Sequence, residues 1–156
     1  MHDFPTEPHP DLTAPERAVR AAAFCFLLAE GEATVAAIGR ETGLAQETTA
    51  AIVAQLDLRG AVTVDANGRI SGSHGMSVVP AAYRLALPSG VRWVWCAEDA
   101  VGIPAALALD ADVDGVCAVC GLSLPIRVRD GVPSAEAPVR VWLSEREEGV
   151  RPLDSL

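Results

Sequence analysis

The chain has 156 residues, half of them apolar, with a formal charge of −9 and twelve cations that are all arginine. A chain of this length can bury roughly 68–70% of its unfolded surface without disulfides, so the composition describes one globular domain or two small lobes rather than a disordered segment. Such an acidic balance argues against sequence-independent nucleic-acid binding, which needs clustered positive charge against phosphate.

The start, Met-His-Asp-Phe-Pro, carries neither a basic region nor an apolar one, and the apolar run Ala21–Ala29 is about half a membrane span. A cytoplasmic location is the default expectation, with no membrane partner. In that compartment thiols stay reduced, so closely spaced cysteines read as metal-binding or reactive before they read as disulfides.

Residues 1–12, with Pro5, Pro8 and Pro10, read as a flexible tail in which His2 and His9 are solvated. Thr13-Ala-Pro-Glu16 is a helix start, with a hydroxyl at the cap, proline in the first turn and glutamate at the third position. The spacing of Val19, Ala23, Phe26 and Leu27 carries that helix to about Gly31. Cys25 falls in this apolar run and reads as a buried structural thiol. Thr34 caps a second helix ending at Gly43, and a third runs from Leu44 to about Arg59. Asp65-Ala-Asn-Gly68 between Ala61-Val-Thr-Val64 and Arg69-Ile-Ser71 signals a hairpin.

Three helices and a hairpin make residues 13–79 a winged-helix-like lobe. A transcriptional regulator is therefore one reading, but the third helix offers Gln46, Glu47, Thr48, Thr49, Gln55 and Asp57 with Arg59 as its only cation, and phosphate anchoring needs several. The glycine-rich stretch Ser71–Ser77 lacks the spacing of a phosphate loop, and His74 within it reads as an exposed polar residue.

Beyond Pro80 the pattern changes to strands. Tyr83–Leu87 and Val91–Trp95 are joined by Pro88-Ser-Gly90. A helix follows Cys96, expected to break near Gly102 and Pro104. Val113–Val116 is strand-like, and Leu122, Leu124, Ile126 and Val128 alternate with polar residues in a half-buried strand that Pro125 assigns to a sheet edge. Val139–Leu143 is the last strand candidate. The fold class is α+β: a three-helix lobe, then residues 80–156 as a small, mostly antiparallel sheet with a short helix carrying the candidate site.

That site is built from sulfur. Cys96 precedes the helix, where backbone N–H groups favour thiolate, and Asp99 lies one turn on along the same face. Burial beside Trp93 or Trp95 would raise the Asp99 pKa and let it hold a proton. Cys117-x-x-Cys120-Gly has the shape of a zinc knuckle, but a structural zinc needs four ligands, so Cys96 with Asp99 or His74 would have to complete the set. A thioredoxin-like role for the pair lacks its βαβ context.

The string Trp95-Cys96-Ala97-Glu98-Asp99, then Ile103-Pro104-Ala105, then Cys117 before a Leu/Pro/Val strand, resembles the core of the organomercurial (alkylmercury) lyase family. The specific marks lie between Trp93 and Val128. The resemblance implies protonolysis of a carbon–mercury bond in mercury detoxification, with Cys96 as the thiolate that attacks mercury and Asp99 as the proton relay. It also implies a structural role for Cys117. The family's second catalytic cysteine has no counterpart after Cys120, so that either the gene product is longer, or another thiol, Cys120 or Cys117, substitutes, or the homologue no longer cleaves carbon–mercury bonds; Cys96, Cys120 and Cys117 are the expected metal-holding set. No cofactor is required for this chemistry. Mercury(II) is its bound product, and its partners are a small organometallic substrate and free thiols or a mercury-accepting protein. The alternative is a non-catalytic soft-metal or zinc-binding protein using Cys96, Cys117 and Cys120.

Overall fold

The structure, a computed structural model, describes residues 11–117, 119–135 and 139–140. It divides into two compact units, with the boundary between Val78 and Val79. The tail expected at residues 1–10, with His2 and His9, and most of the strand expected at Val139–Leu143 lie outside the described residues.

The first unit holds α1 (Ala14–Glu30), α2 (Val35–Thr42), α3 (Gln46–Leu58) and the strands β1 (Val62–Val64), β2 (Ile70–Ser73) and β3 (Met76–Ser77). The α1 start is a reciprocal cap: the Thr13 side chain accepts from the Glu16 N–H while Glu16 accepts from the Thr13 N–H at 2.7 Å. Those bonds from Thr13, helped by Arg59, hold the Glu16 carboxyl below its ordinary range. The Thr34 side chain caps α2 by accepting from the Ala37 N–H at 3.1 Å, and Gly31 and Gly43 close α1 and α2 in the left-handed conformation.

Helix α1 packs against α2, α3, β2 and β3. Its buried stripe is Val19, Ala22, Ala23, Phe24 and Leu27. Phe24, not Phe26, is the aromatic in the core. Cys25, expected to be buried, is exposed, because its direction around the helix is opposite the centre of that stripe. β1, β2 and β3 run antiparallel in that order. Arg20 is buried and donates to the Ala61 carbonyl, while the Ser73 hydroxyl donates to the Arg20 carbonyl, so a charged residue ties helix to sheet. His74, expected to be exposed, is half-buried and meets Phe24 edge-on at 5.4 Å.

The second unit is a five-stranded antiparallel arrangement in the order β5-β4-β6-β7-β8, with β4 (Tyr83–Leu87), β5 (Gly90–Val94), β6 (Ala111–Asp114), β7 (Ile126–Arg129) and β8 (Val132–Ala135). Helix α4 (Ala97–Ala106) packs on these strands. Leu85, Val94, Val113 and Val128 are its fully buried strand residues. Three details differ from the sequence reading. Helix α4 runs through Gly102 and Pro104, because Ala100 and Pro104 are one turn apart and both buried on one face, so packing offsets the single lost N–H. Strand β7 lies between β6 and β8 rather than at an edge; Pro125 precedes it, and its ladder starts only at Ile126. Leu122, expected in that strand, belongs to an exposed loop. No helix among the described residues is long and apolar enough to cross a membrane.

A side chain at Gly115 would place its Cβ 2.2 Å from Tyr83 Cδ1, whereas at Gly102, on exposed helix, nothing lies within 4 Å. We expect Gly115→Ala to destabilise the second unit by about 1–3 kcal/mol through overpacking. Gly102→Ala should stabilise it by up to about 1 kcal/mol through helix propensity. Urea unfolding of the two variants, followed by tryptophan fluorescence, reads both signs.

Candidate active site

The site begins with the way α4 starts. Strand β5 delivers the chain in extended conformation to Cys96, which is itself the N-cap at φ −134° and ψ 166°. A cap residue accepts from the N–H two or three positions on, usually with oxygen. Here the acceptor is sulfur: the Asp99 N–H donates to Cys96 Sγ at 3.3 Å. The same Sγ donates to Asp99 Oδ2 at 3.0 Å. Cys96 and Asp99 are thus joined twice through the one sulfur, which meets both the backbone and the side chain of Asp99.

Both groups are half-buried, and both hold their protons more tightly than usual. Burial is the larger cause for Cys96, followed by the Asp99 carboxylate, and together they push the thiol up to about 11. Burial also raises the Asp99 carboxyl, with Glu98 adding to the rise and the Cys96 hydrogen bond opposing it. The sequence expectation that the helix start would favour thiolate is therefore reversed. The N–H groups of Asp99 and Glu98 do act in that direction, but loss of water and a neighbouring carboxylate outweigh them. At neutral pH the resting pair is a neutral thiol hydrogen-bonded to a carboxyl group that is a better base than an exposed aspartate.

The other sulfurs lie elsewhere. Cys117 and Cys120 sit in the loop between β6 and β7, Cys117 half-buried and Cys120 exposed, and neither is in a disulfide. The N–H groups of Cys120 and Val119 point at the Cys117 sulfur and lower its pKa, and the Cys120 thiol adds a further hydrogen bond. Among the described residues no three His, Cys, Asp or Glu side chains are grouped to hold a metal ion. The expected set of Cys96, Cys117 and Cys120 is therefore not grouped among the described residues, and Asp99 does not complete it. The structure brings together Cys96 with Asp99, and Cys117 with Cys120, as two separate pairs.

With this geometry in view, a likeness to a solved structure can be placed. The mercury-bound form of MerB2 superposes with a TM-score of 0.72 at 24% sequence identity, over 81% of this chain and 61% of that one. The chain is built like MerB2. It spans about three fifths of that protein's length, and the likeness is one of fold, with the α+β organisation described above. No protein-family model and no curated protein matches the sequence.

The α3 surface bears on the regulator reading. Gln46, Glu47, Thr48 and Gln55 are exposed there, and Arg59, at its end, is engaged by Glu16 at 3.1 Å and by Asp11. The one cation the sequence offered to phosphate is held by two carboxylates within its own unit.

Both site groups have folded-state pKa values above their ordinary ones, so each favours the fold while protonated. The Cys96 contribution is complete below its ordinary value of 9.0 and is lost as pH rises through about 11. Peptide-resolved alkylation with iodoacetamide should therefore show Cys96 modification still accelerating above pH 9.0. Asp99→Asn should move that profile to lower pH, because it removes the carboxylate's share of the shift while burial remains.

Proposed function

We propose that the second unit carries out protonolysis of a carbon–mercury bond at Cys96 and Asp99. The observation that carries this reading is the 3.0 Å contact between Cys96 Sγ and Asp99 Oδ2 at the head of a helix. It is supported by the fold likeness to a protein crystallised with mercury bound, and by the resemblance of Trp95–Asp99 to the organomercurial lyase string.

The chemistry follows from the proton inventory. A soft ion such as mercury(II) prefers thiolate over every other side chain. Cys96 rests as a neutral thiol, so binding R–Hg–X requires its proton to leave. Asp99, in direct contact and made more basic by burial, takes it. The sulfur displaces X⁻ and becomes Cys96–S–Hg–R. A thiolate from a low-molecular-weight thiol in solution adds to the mercury as the second sulfur, because neither Cys117 nor Cys120 is grouped with Cys96 and Asp99. Electron density from two sulfurs weakens the Hg–C bond, whose electron pair stays with carbon. The carbon takes the proton that Asp99 holds, giving R–H, a carboxylate and a sulfur-bound mercury(II). Mercury stays in the same oxidation state throughout, so no oxidant or reductant enters.

The reciprocal bonding fits that sequence of events. One carboxyl group serves as base in the first half and acid in the second, and its raised pKa keeps the proton available between the two. The short carboxyl–sulfur distance places the proton beside whatever the sulfur binds.

Benzene release from phenylmercury in the presence of excess small thiol tests the reading. We expect turnover by the native chain, loss of it in Cys96→Ser, and a fall of about 10²–10⁴-fold in Asp99→Asn, which keeps the backbone cap but not the proton relay. Equal benzene release by the native chain and by Cys96→Ser would sink the proposal.

A further inference from the structure

The start of α4 brings a third side chain to the sulfur. Cys96 is the cap, and Glu98 and Asp99 are the acids of the first turn. Asp99 is half-buried and bonded to the Cys96 sulfur, so it belongs to the reaction already described. Glu98 has no part in that reaction. Its side chain is exposed and makes no hydrogen bond or ion pair among the described residues. Its backbone N–H nevertheless points at the same sulfur, which puts the Glu98 carboxylate within one side-chain length of the reacting atom.

No described cation offsets that charge. The groups acting on Asp99 are Cys96 and Glu98, with no arginine among them. In the strands that α4 packs on, Arg84 and Arg129 are held by Asp114 and Asp112. Arg92 and Arg127 lie in the same strands but are not among the groups that act on Asp99. A helix start offers partial positive charge, yet here the N–H groups of Glu98 and Asp99 are engaged by the sulfur. A carboxylate this close acts within the ~8 Å over which physiological salt screens charge. Whatever reaches the sulfur from solvent therefore approaches beside a negative charge.

We infer that Glu98 sets which organomercurials the site takes: those whose carbon group is uncharged or cationic are admitted, and those whose carbon group carries a carboxylate or sulfonate are turned away. The inference rests on the mercury-cleaving reading of Cys96 and Asp99 and adds a substrate class to it. Mercury joins the sulfur to carbon directly, so R is held two bonds from Cys96 Sγ, and a charge on a short R group is brought into the neighbourhood of Glu98. Asp99 has by then accepted the thiol proton and is neutral, which leaves Glu98 as the charge that R meets. Like charges at this range disfavour the bound state, and opposite charges favour it. Glu98 neither gives nor takes a proton; it selects.

Peptide-resolved modification of Cys96 in the full chain by two methanethiosulfonates, one bearing a trimethylammonium group and one a sulfonate, reads the charge directly. Each rate is divided by that reagent's rate with 2-mercaptoethanol. The ratio of cation to anion then cancels any change in Cys96 ionisation between variants. The expected ratio is about tenfold or more at low salt, falling about threefold or more in Glu98→Gln and again as salt is added. In the benzene-release assay with excess 2-mercaptoethanol, kcat/KM for phenylmercury should exceed that for 4-carboxyphenylmercury by about tenfold, and Glu98→Gln should narrow the gap. A ratio near one in the native chain, or one that Glu98→Gln leaves unchanged, would overturn the inference whether or not cleavage occurs. Phenylmercury left uncleaved beside the expected ratio would remove the cleavage reading alone, and the selection would then act on mercurials bound at Cys96.

Discussion

A sulfur atom, rather than an oxygen, begins helix α4, and the rest of the site depends on that. The first turn of any helix has unpaired N–H groups that need an acceptor. Using Cys96 Sγ for one of them fixes the thiol, and using the next-but-two residue as donor fixes Asp99 beside it. Backbone geometry thereby sets a side-chain pair that would otherwise cost rotamer entropy to hold. Burial then does the electrostatic work. It keeps the thiol proton in place at neutral pH and makes the carboxyl group beside it a stronger base, so a proton can pass between the two.

The sheet beneath serves this arrangement. Ala100 and Pro104 press α4 onto the strands, and Leu85, Val94, Val113 and Val128 form the surface that receives it. Arg84 pairs with Asp114 at 3.0 Å and Arg129 with Asp112 at 2.6 Å. These pairs are exposed, so their contribution is small next to the apolar core. The acidic character of the chain is thus partly balanced where strands meet.

Much of the fold was legible because it rests on local chemistry. Thr13 with Glu16, Thr34, Gly31 and Gly43 mark helix ends through bonds made within a few residues, and the sequence contains all the parts. Cys96 and Asp99 were legible for the same reason, since one helical turn separates them. Other features needed the third dimension. Cys25 reads as core in an alanine-rich run where nearly every position is apolar, and only packing shows that its side faces solvent. The ionisation of Cys96 was misjudged because the helix start is visible in sequence while burial and the approach of the Asp99 carboxylate are not. Strand β8 escaped notice because Val132-Pro-Ser-Ala135 has neither a strong alternation nor the residues that favour strands. The three sulfurs are not grouped among the described residues, because spacing along a chain does not fix distance across a sheet.

Among the described residues strand β8 ends its sheet with all four side chains exposed, and Pro133 stands in it opposite Val128. Proline has no N–H to offer, so this border cannot be extended by a continuous ladder from another molecule. Pairing along that border would lack one donor, which weakens the edge-to-edge contact that seeds aggregates.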